Sequence, residues 1–151
     1  MELLRLDKNA PLVLMRAEEV IRAGGVMAMP TDTVYGLVAD AANSSAVEKI
    51  FAIKQRHASQ PLPVFVKDIK MARWYAYISD AKANTLERIW PGAVTAVFHH
   101  KEKLPEVLTG GHDTIGMRIP DYEFFTDFLR QLNIPLAQTS ANISGEAPVT
   151  T

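Results

Sequence analysis

Three short polar clusters hold most of the chemistry available to this sequence. Pro30-Thr31-Asp32-Thr33-Val34-Tyr35-Gly36-Leu37 puts two hydroxyls, a carboxylate and a phenol close together, just after the apolar run Val26-Met27-Ala28-Met29. Lys54-Gln55-Arg56 offers a mobile point charge beside a planar guanidinium fork, a pairing suited to phosphate and carboxylate. Ser140-Ala141-Asn142 offers a hydroxyl, an amide and backbone N–H groups, with Gly145 shortly after to keep the loop compact; such loops bind phosphate oxygens. Arg118 is a fourth candidate. It alternates with Ile115, Met117 and Ile119 on a strand pattern whose other face carries only Thr114 and Gly116, so a charge stands beside small residues where a ligand would fit.

Each of these has a plainer explanation. Lys54 and Arg56 near a helix C-terminus are favourable for the helix dipole alone, and Arg118 is explained equally by a surface ion pair. Thr31 and Thr33 are ordinary turn residues, able to satisfy nearby backbone groups. Tyr35 fits a half-buried core aromatic. His57 reads as an exposed loop residue, and the Ser140 loop as a turn.

The elements that must position these groups follow from periodicity. Leu3–Leu6 reads as an edge strand. Asn9 reads as the cap of a helix with Leu14, Ala17, Val20 and Ile21 on its buried face, ending at Gly24-Gly25. Val26–Met29 is a buried strand that Pro30 ends, because proline donates no ladder hydrogen bond. Val38–Asp40 reads as a second short extended piece. Ser45-Ala46-Val47-Glu48 fits a capping box for a helix burying Val47, Ile50 and Phe51 and running out near Lys54. Leu62–Val66 is a strand, 68–75 and 80–90 are helices with Ser79 capping the second, and Trp90-Pro91-Gly92 breaks the pattern. Strands at 93–98 and 114–119 follow, joined by a charged connection and a turn at Gly110-Gly111. A helix opening at Pro120-Asp121 buries Phe124, Phe125, Phe128, Leu129 and Leu132. A last strand at 135–138 delivers Ser140. Interleaved helices and strands predict an α/β fold around a mixed twisted sheet.

Composition removes several function classes. A formal net charge of −1 argues against nonspecific coating of nucleic acid, although 16 Lys and Arg leave room for a local basic pocket. The absence of cysteine excludes thiol nucleophiles and Cys-based zinc sites. No Walker loop, G-x-S-x-G elbow, H-E-x-x-H or G-x-G-x-x-G is present. Asp32 is the one acid inside a candidate cluster, so no metal is expected to be held by protein alone; Mg2+ carried on nucleotide phosphates is consistent with that. No signal peptide pattern and no apolar run near the ~20 residues of a membrane span are present, and a cytoplasmic protein is expected.

Taken together and in this order, the clusters resemble the YrdC family, the threonylcarbamoyl-AMP synthases that begin threonylcarbamoyladenosine modification of tRNA. The resemblance covers Pro30–Leu37, Ile50–Arg56 with Pro61-Leu62, Trp90-Pro91-Gly92 with Thr95, Gly116–Pro120 and Ser140–Gly145. It departs from the family at His57, Gln60 and Ala93, where proline, a basic residue and proline are common. The resemblance implies a twisted mixed sheet with helices packed around it and a concave basic cavity, as a YrdC-like domain over residues 1–151 lacking the C-terminal part found in family members. It implies condensation of L-threonine, bicarbonate or CO2, and ATP to threonylcarbamoyl-AMP and pyrophosphate. Threonine is then expected at Thr31, Tyr35 and Arg118, and ATP and the reacting centre at Lys54, Arg56, Thr114, Ser140 and Asn142. The implied partner is the downstream threonylcarbamoyl transferase complex. Two alternatives stand beside this: a noncatalytic relative binding double-stranded RNA or tRNA, which the charge balance disfavours, and a carbamoyl-transferring relative, which normally sits in a longer chain with zinc-finger-like cysteines.

Overall fold

A computed structural model of the protein describes residues 1–5 and 10–150. Helix α1 (Ala10–Arg22) ends at Gly24, whose φ of 78° is the left-handed turn glycine takes without strain. Strands β1 (Met27–Met29) and β2 (Gly36–Asp40) form a hairpin around the Thr31–Tyr35 loop. Helix α2 (Ser44–Lys54) leads to β3 (Val64–Phe65), followed by α3 (Ile69–Tyr75) and α4 (Asp80–Ile89). Then come β4 (Ala96–His99), the short α5 (Glu106–Thr109), β5 (Thr114–Arg118), α6 (Glu123–Leu132) and β6 (Leu136–Ser140).

The strands make one six-stranded sheet in the order β1-β2-β6-β3-β5-β4. Only β3 and β5 run parallel; the other pairings are antiparallel, so the sheet is mixed as the sequence predicts. Alternation of side chains across the pleat gives two cores. On one face Val38, Phe65 and Leu136 pack with Ala17 and Ile21 of α1 and with Phe125, Phe128, Leu129 and Leu132 of α6. Phe125 meets Phe65 edge to face at 5.0 Å, a geometry that adds about 0.5–1.5 kcal/mol beyond burial. On the other face Ala39, Val64, Ala137 and Met117 pack against Val47 and Ile50 of α2, Met71 of α3 and Leu86 of α4.

Several boundaries differ from the sequence reading. Leu3–Arg5 is not a strand, and Leu6 and the proposed Asn9 cap lie outside the described residues. The cap of α2 is Asn43, not Ser45: Asn43 Oδ1 accepts the Ala46 N–H at 3.1 Å, which places Ser45 inside the helix. A capping box two residues downstream matched by composition only, because asparagine caps equally well. Asp68 and Ser79 cap α3 and α4, the second as expected. Strand β4 starts at Ala96, not Ala93, after a cis Trp90–Pro91 peptide and a turn in which Trp90 Nε1 donates to the Val94 carbonyl at 2.7 Å. Helix α6 starts at Glu123 after an extended Pro120–Tyr122 segment. The helix α5 was not expected; at one turn it is too short to show periodicity.

The two caps make different predictions. Asn43→Ala should lower unfolding free energy by about 1 kcal/mol, the usual worth of a side-chain cap, whereas Ser45→Ala should be near neutral or slightly stabilising. Denaturant titration of both variants checks this; equal losses would mean that Ser45 shares the capping.

Candidate active site

The end of β6 is where the distant motifs meet. Gly36 of the Pro30–Leu37 stretch pairs with Ser140 across β2 and β6, so sheet register alone sets the first motif against the third. The junction is closed by backbone: Ala141 N–H donates to the Tyr35 carbonyl at 2.8 Å, and Tyr35 N–H donates to the Val149 carbonyl at 3.0 Å.

The second motif arrives from α2. The helix closes in a left-handed turn at Gln55 (φ 51°), whose N–H donates to Ala52 while the Arg56 N–H reaches back to Phe51. A non-glycine residue in this region is costly, and here it lies between the two cations it separates. The turn buries Lys54, which is 3% exposed. Lys54 Nζ donates to the Ser140 carbonyl at 2.8 Å, to Asn142 Oδ1 at 2.9 Å and to Ser140 Oγ at 3.3 Å. Ser140 Oγ in turn contacts Asn142 Oδ1, and the Ser144 N–H donates to the Lys54 carbonyl at 3.1 Å. Asn142 spends its amide N–H groups on the Ile143 and Glu146 carbonyls.

No carboxylate lies within ion-pair distance of Lys54 or Arg56 among the described residues. Hydrogen bonds to a charged group contribute about 1.5–3 kcal/mol each, while desolvating an ammonium costs several, so the balance at Lys54 is close. Burial, and secondarily the neighbouring Arg56 charge, hold its pKa below the ordinary lysine range. Arg56 is half-buried, donates Nη2 to the Pro61 carbonyl at 3.1 Å and leaves Nε buried without a partner. Burial lowers its pKa too, although a guanidinium stays protonated.

Arg118 stands on the α6 face of the sheet, 7% exposed, with its guanidinium 5.3 Å from the Phe65 ring centre. The surface ion pair weighed for it is instead a buried one. Arg118 Nη2 donates to Asp32 Oδ1, and the Asp121 N–H donates to Asp32 Oδ2 at 3.0 Å. Arg118 Nε is buried and unpartnered, and burial lowers the pKa of the group. Asp32 therefore ties the Pro30–Leu37 loop to the far end of β5, a role that sequence reasoning missed; an acid flanked by two threonines in a turn carried no signal of a distant arginine.

Thr31 has the local job that its type allowed. Its Oγ1 donates to the Val34 carbonyl at 2.6 Å and accepts the Thr33 N–H at 3.2 Å, so it shapes the turn that presents Asp32. His57 likewise serves its own turn, its Nδ1 lying 2.7 Å from Ser59 Oγ. Thr114 begins β5. Val64 pairs with both Met117 and Ala137, and continuing that register three residues brings Thr114 level with Ser140 on the same face, two strand spacings or about 10 Å apart. Gly116 lies between Thr114 and Arg118, where a Cβ would come within 3.1 Å of Thr95 Cγ2 and 3.5 Å of Pro63 Cβ. The structure thus brings Lys54, Ser140 and Asn142 into direct contact, ties the Tyr35 backbone to Ala141, turns Arg56 to the Pro61 carbonyl and puts Asp32 on Arg118.

A separate cleft of about 390 Å3 is lined by His100, Glu102, Glu106, Thr109 and Asp113. It holds acids rather than free cations, and His100 is satisfied on both ring nitrogens, by the Glu102 N–H at 3.0 Å and the His112 carbonyl at 2.8 Å. Among the described residues no group of three or more His, Asp or Glu side chains could hold a metal ion. No helix among them is long and apolar enough to cross a membrane.

Comparison with known proteins points to one family. The family profile described as "Sua5_yciO_yrdC: Telomere recombination" matches residues 19–151. The threonylcarbamoyl-AMP synthase of Bacillus subtilis is 38% identical over 143 residues, covering 93% of this chain and 41% of the relative. A putative threonylcarbamoyl-AMP synthase of Methanocaldococcus jannaschii is 37% identical over 96% of this chain and 68% of the relative. Among solved structures, P. abyssi Sua5 complexed with L-threonine aligns with a TM-score of 0.87 at 37% identity, over 91% of this chain and 41% of that one. The chain thus spans about two fifths of the length of the Bacillus subtilis and P. abyssi proteins.

The depressed Lys54 pKa has a testable sign. Below the ordinary lysine pKa the unfolded chain binds more protons at this position than the folded one, so the stability cost of the buried charge shrinks as pH rises toward that value. Relative to Lys54→Met, wild-type protein should gain unfolding free energy between neutral pH and pH ~10. Paired denaturant titrations measure it; a gap that stays flat or moves the other way would show the ammonium to be adequately solvated.

Proposed function

Because the chain belongs to the Sua5–YciO–YrdC family, we propose that it acts as an L-threonylcarbamoyladenylate synthase, joining L-threonine, bicarbonate or CO2, and ATP to give threonylcarbamoyl-AMP and pyrophosphate. The observation that carries this reading is a pair of cations, Lys54 and Arg56, without carboxylate partners among the described residues, the first of them held against a hydroxyl–amide loop at a strand end. A site of net positive charge with unspent donors fits a polyphosphate. The Arg118–Asp32 pair fits an amino acid.

The chemistry suits such a site. The threonine amine captures CO2 or bicarbonate as a carbamate, whose oxygen then attacks the α-phosphorus as pyrophosphate leaves. The carbamate and ATP are both anionic, so repulsion and misalignment make up much of the barrier, and fixed positive charge and directed donors lower both. No side-chain nucleophile is needed, and none of the clustered residues is placed as one.

The roles divide by what each group has free. Arg56 is half-exposed, spends one Nη2 N–H on the Pro61 carbonyl and is assigned to the phosphates through the rest of its guanidinium. Lys54 already makes three hydrogen bonds, so a phosphate oxygen reaching it replaces Asn142 Oδ1 or Ser140 Oγ; until then it supplies charge and holds the loop in shape. Ser140 and Asn142 carry the loop, Thr114 borders the nucleotide side, and Thr31 and Tyr35 frame the amino-acid side. The donor set does not fit a resident divalent ion, since Asp32 is committed to Arg118; Mg2+ would arrive on the nucleotide, screening phosphate charge. We read residues 1–151 as one catalytic domain, with its product passed to a threonylcarbamoyl transferase that modifies tRNA.

Pyrophosphate release from ATP, measured with and without threonine and bicarbonate, tests the reading. Turnover should require both, and Arg56→Ala or Lys54→Ala should lower kcat/KM by about 10²–10³, the usual cost of losing one charge-stabilising donor. Threonine-independent turnover would favour a carbamoyl-transferring enzyme, and salt-sensitive RNA binding without turnover a noncatalytic one.

A further inference from the structure

The two halves of the site differ in net charge, and that difference specifies more than a polyphosphate. Lys54 and Arg56 are uncompensated cations. Arg118 is not: Asp32 accepts from its Nη2, so the pair carries no net charge but a large local dipole. Their side chains are 8% and 11% exposed, which leaves little water to screen either pole. The pair is also only partly spent. Arg118 Nε is buried with no partner, and a carboxylate with one accepted bond on each oxygen, from Arg118 and from the Asp121 N–H, still has lone pairs on both.

A guanidinium with N–H groups left over next to a carboxylate with lone pairs left over is complementary to a ligand with the opposite arrangement. A ligand carboxylate that reaches Arg118 finds one Nη2 N–H spent on Asp32 and the remaining terminal N–H groups of the guanidinium still to be used, and a cation on the adjacent ligand atom then faces Asp32. A simple carboxylic acid satisfies Arg118 but sets a second negative charge against Asp32, and like charges at such a distance in a poorly solvated site are costly. We propose that Asp32 is a specificity-determining residue: through its pairing with Arg118 it restricts this half of the site to zwitterionic α-amino acids and rejects the corresponding hydroxy acids. The proposal rests on the synthase reading for the identity of the amino acid, but concerns binding and not turnover. Asp32 also positions Arg118, as the loop residue that holds the guanidinium against Phe65.

Calorimetric titration with L-threonine and with 2,3-dihydroxybutanoate, its analogue with hydroxyl in place of the amine, separates these roles. Wild-type protein should bind threonine at least tenfold more tightly. In Asp32→Asn, which keeps an acceptor for the Asp121 N–H, the two affinities should move in opposite directions, threonine weakening several-fold and the hydroxy acid tightening as Arg118 becomes an unneutralised cation. Asp32→Glu should retain the wild-type order of preference. A purely structural Asp32 would weaken both ligands by the same factor, and that result overturns the proposal, as does a wild-type preference below tenfold, a measurement that needs no variant to fold. Threonine-dependent turnover with unchanged selectivity in Asp32→Asn removes this inference alone; amino-acid binding with the predicted selectivity but no pyrophosphate release removes the synthase reading alone.

Discussion

An ammonium buried with no counter-ion among the described residues is the constraint around which this site is built. Lys54 cannot be left bare in the interior, so the chain surrounds it with oxygens, the carbonyl and hydroxyl of Ser140 and the amide oxygen of Asn142. To deliver those oxygens, β6 must end at Ser140, the loop after it must bend back toward α2, and α2 must close in a left-handed turn at Gln55. The Ser144 N–H bond to the Lys54 carbonyl locks the same two segments a second time. A well-packed apolar residue would serve the fold as well, since replacing buried charge with hydrophobic volume is often neutral or stabilising. Burial disfavours the charged form at Lys54, and a perturbed group of this kind is a candidate for function.

The sheet makes that arrangement rigid. Both faces are buried, one beneath α1 and α6 and the other beneath α2, α3 and α4. A one-residue slip in any strand would expose its apolar set, so the register that places Gly36 opposite Ser140 is specified by core packing and not by the polar residues. The motifs at the strand ends inherit their relative positions from the packing of the core.

Charge, more than shape, separates the two halves of the site. Around Lys54 and Arg56 the positive charge is uncompensated, and the field favours anions. Around Arg118 the same kind of group is neutralised by Asp32, and what remains is a dipole with open donors and acceptors. The basic residues thereby stand in two different electrostatic environments, without any metal-binding group of acids or histidines among the described residues.

Much of this was legible in the sequence. The interleaved apolar periodicities determined the α/β class, the mixed sheet, most element positions and the inward faces of α2 and α6, because local hydrophobic pattern and burial are the same physical signal. That Lys54, Ser140 and Asn142 belong together was also legible, since their types and order mark a cation beside a hydroxyl–amide loop. Boundaries that depend on one hydrogen bond were not, as when Asn43 rather than Ser45 capped α2 and the Val94 turn delayed β4. Nor could sequence decide how the charges are spent. Whether an arginine is free or paired, and whether a lysine faces a ligand or its own loop, depends on contacts between residues far apart in the chain, here Asp32 with Arg118 and Lys54 with Asn142. Only the folded sheet brings those partners together, and electrostatic energies at a few ångströms are set by that proximity.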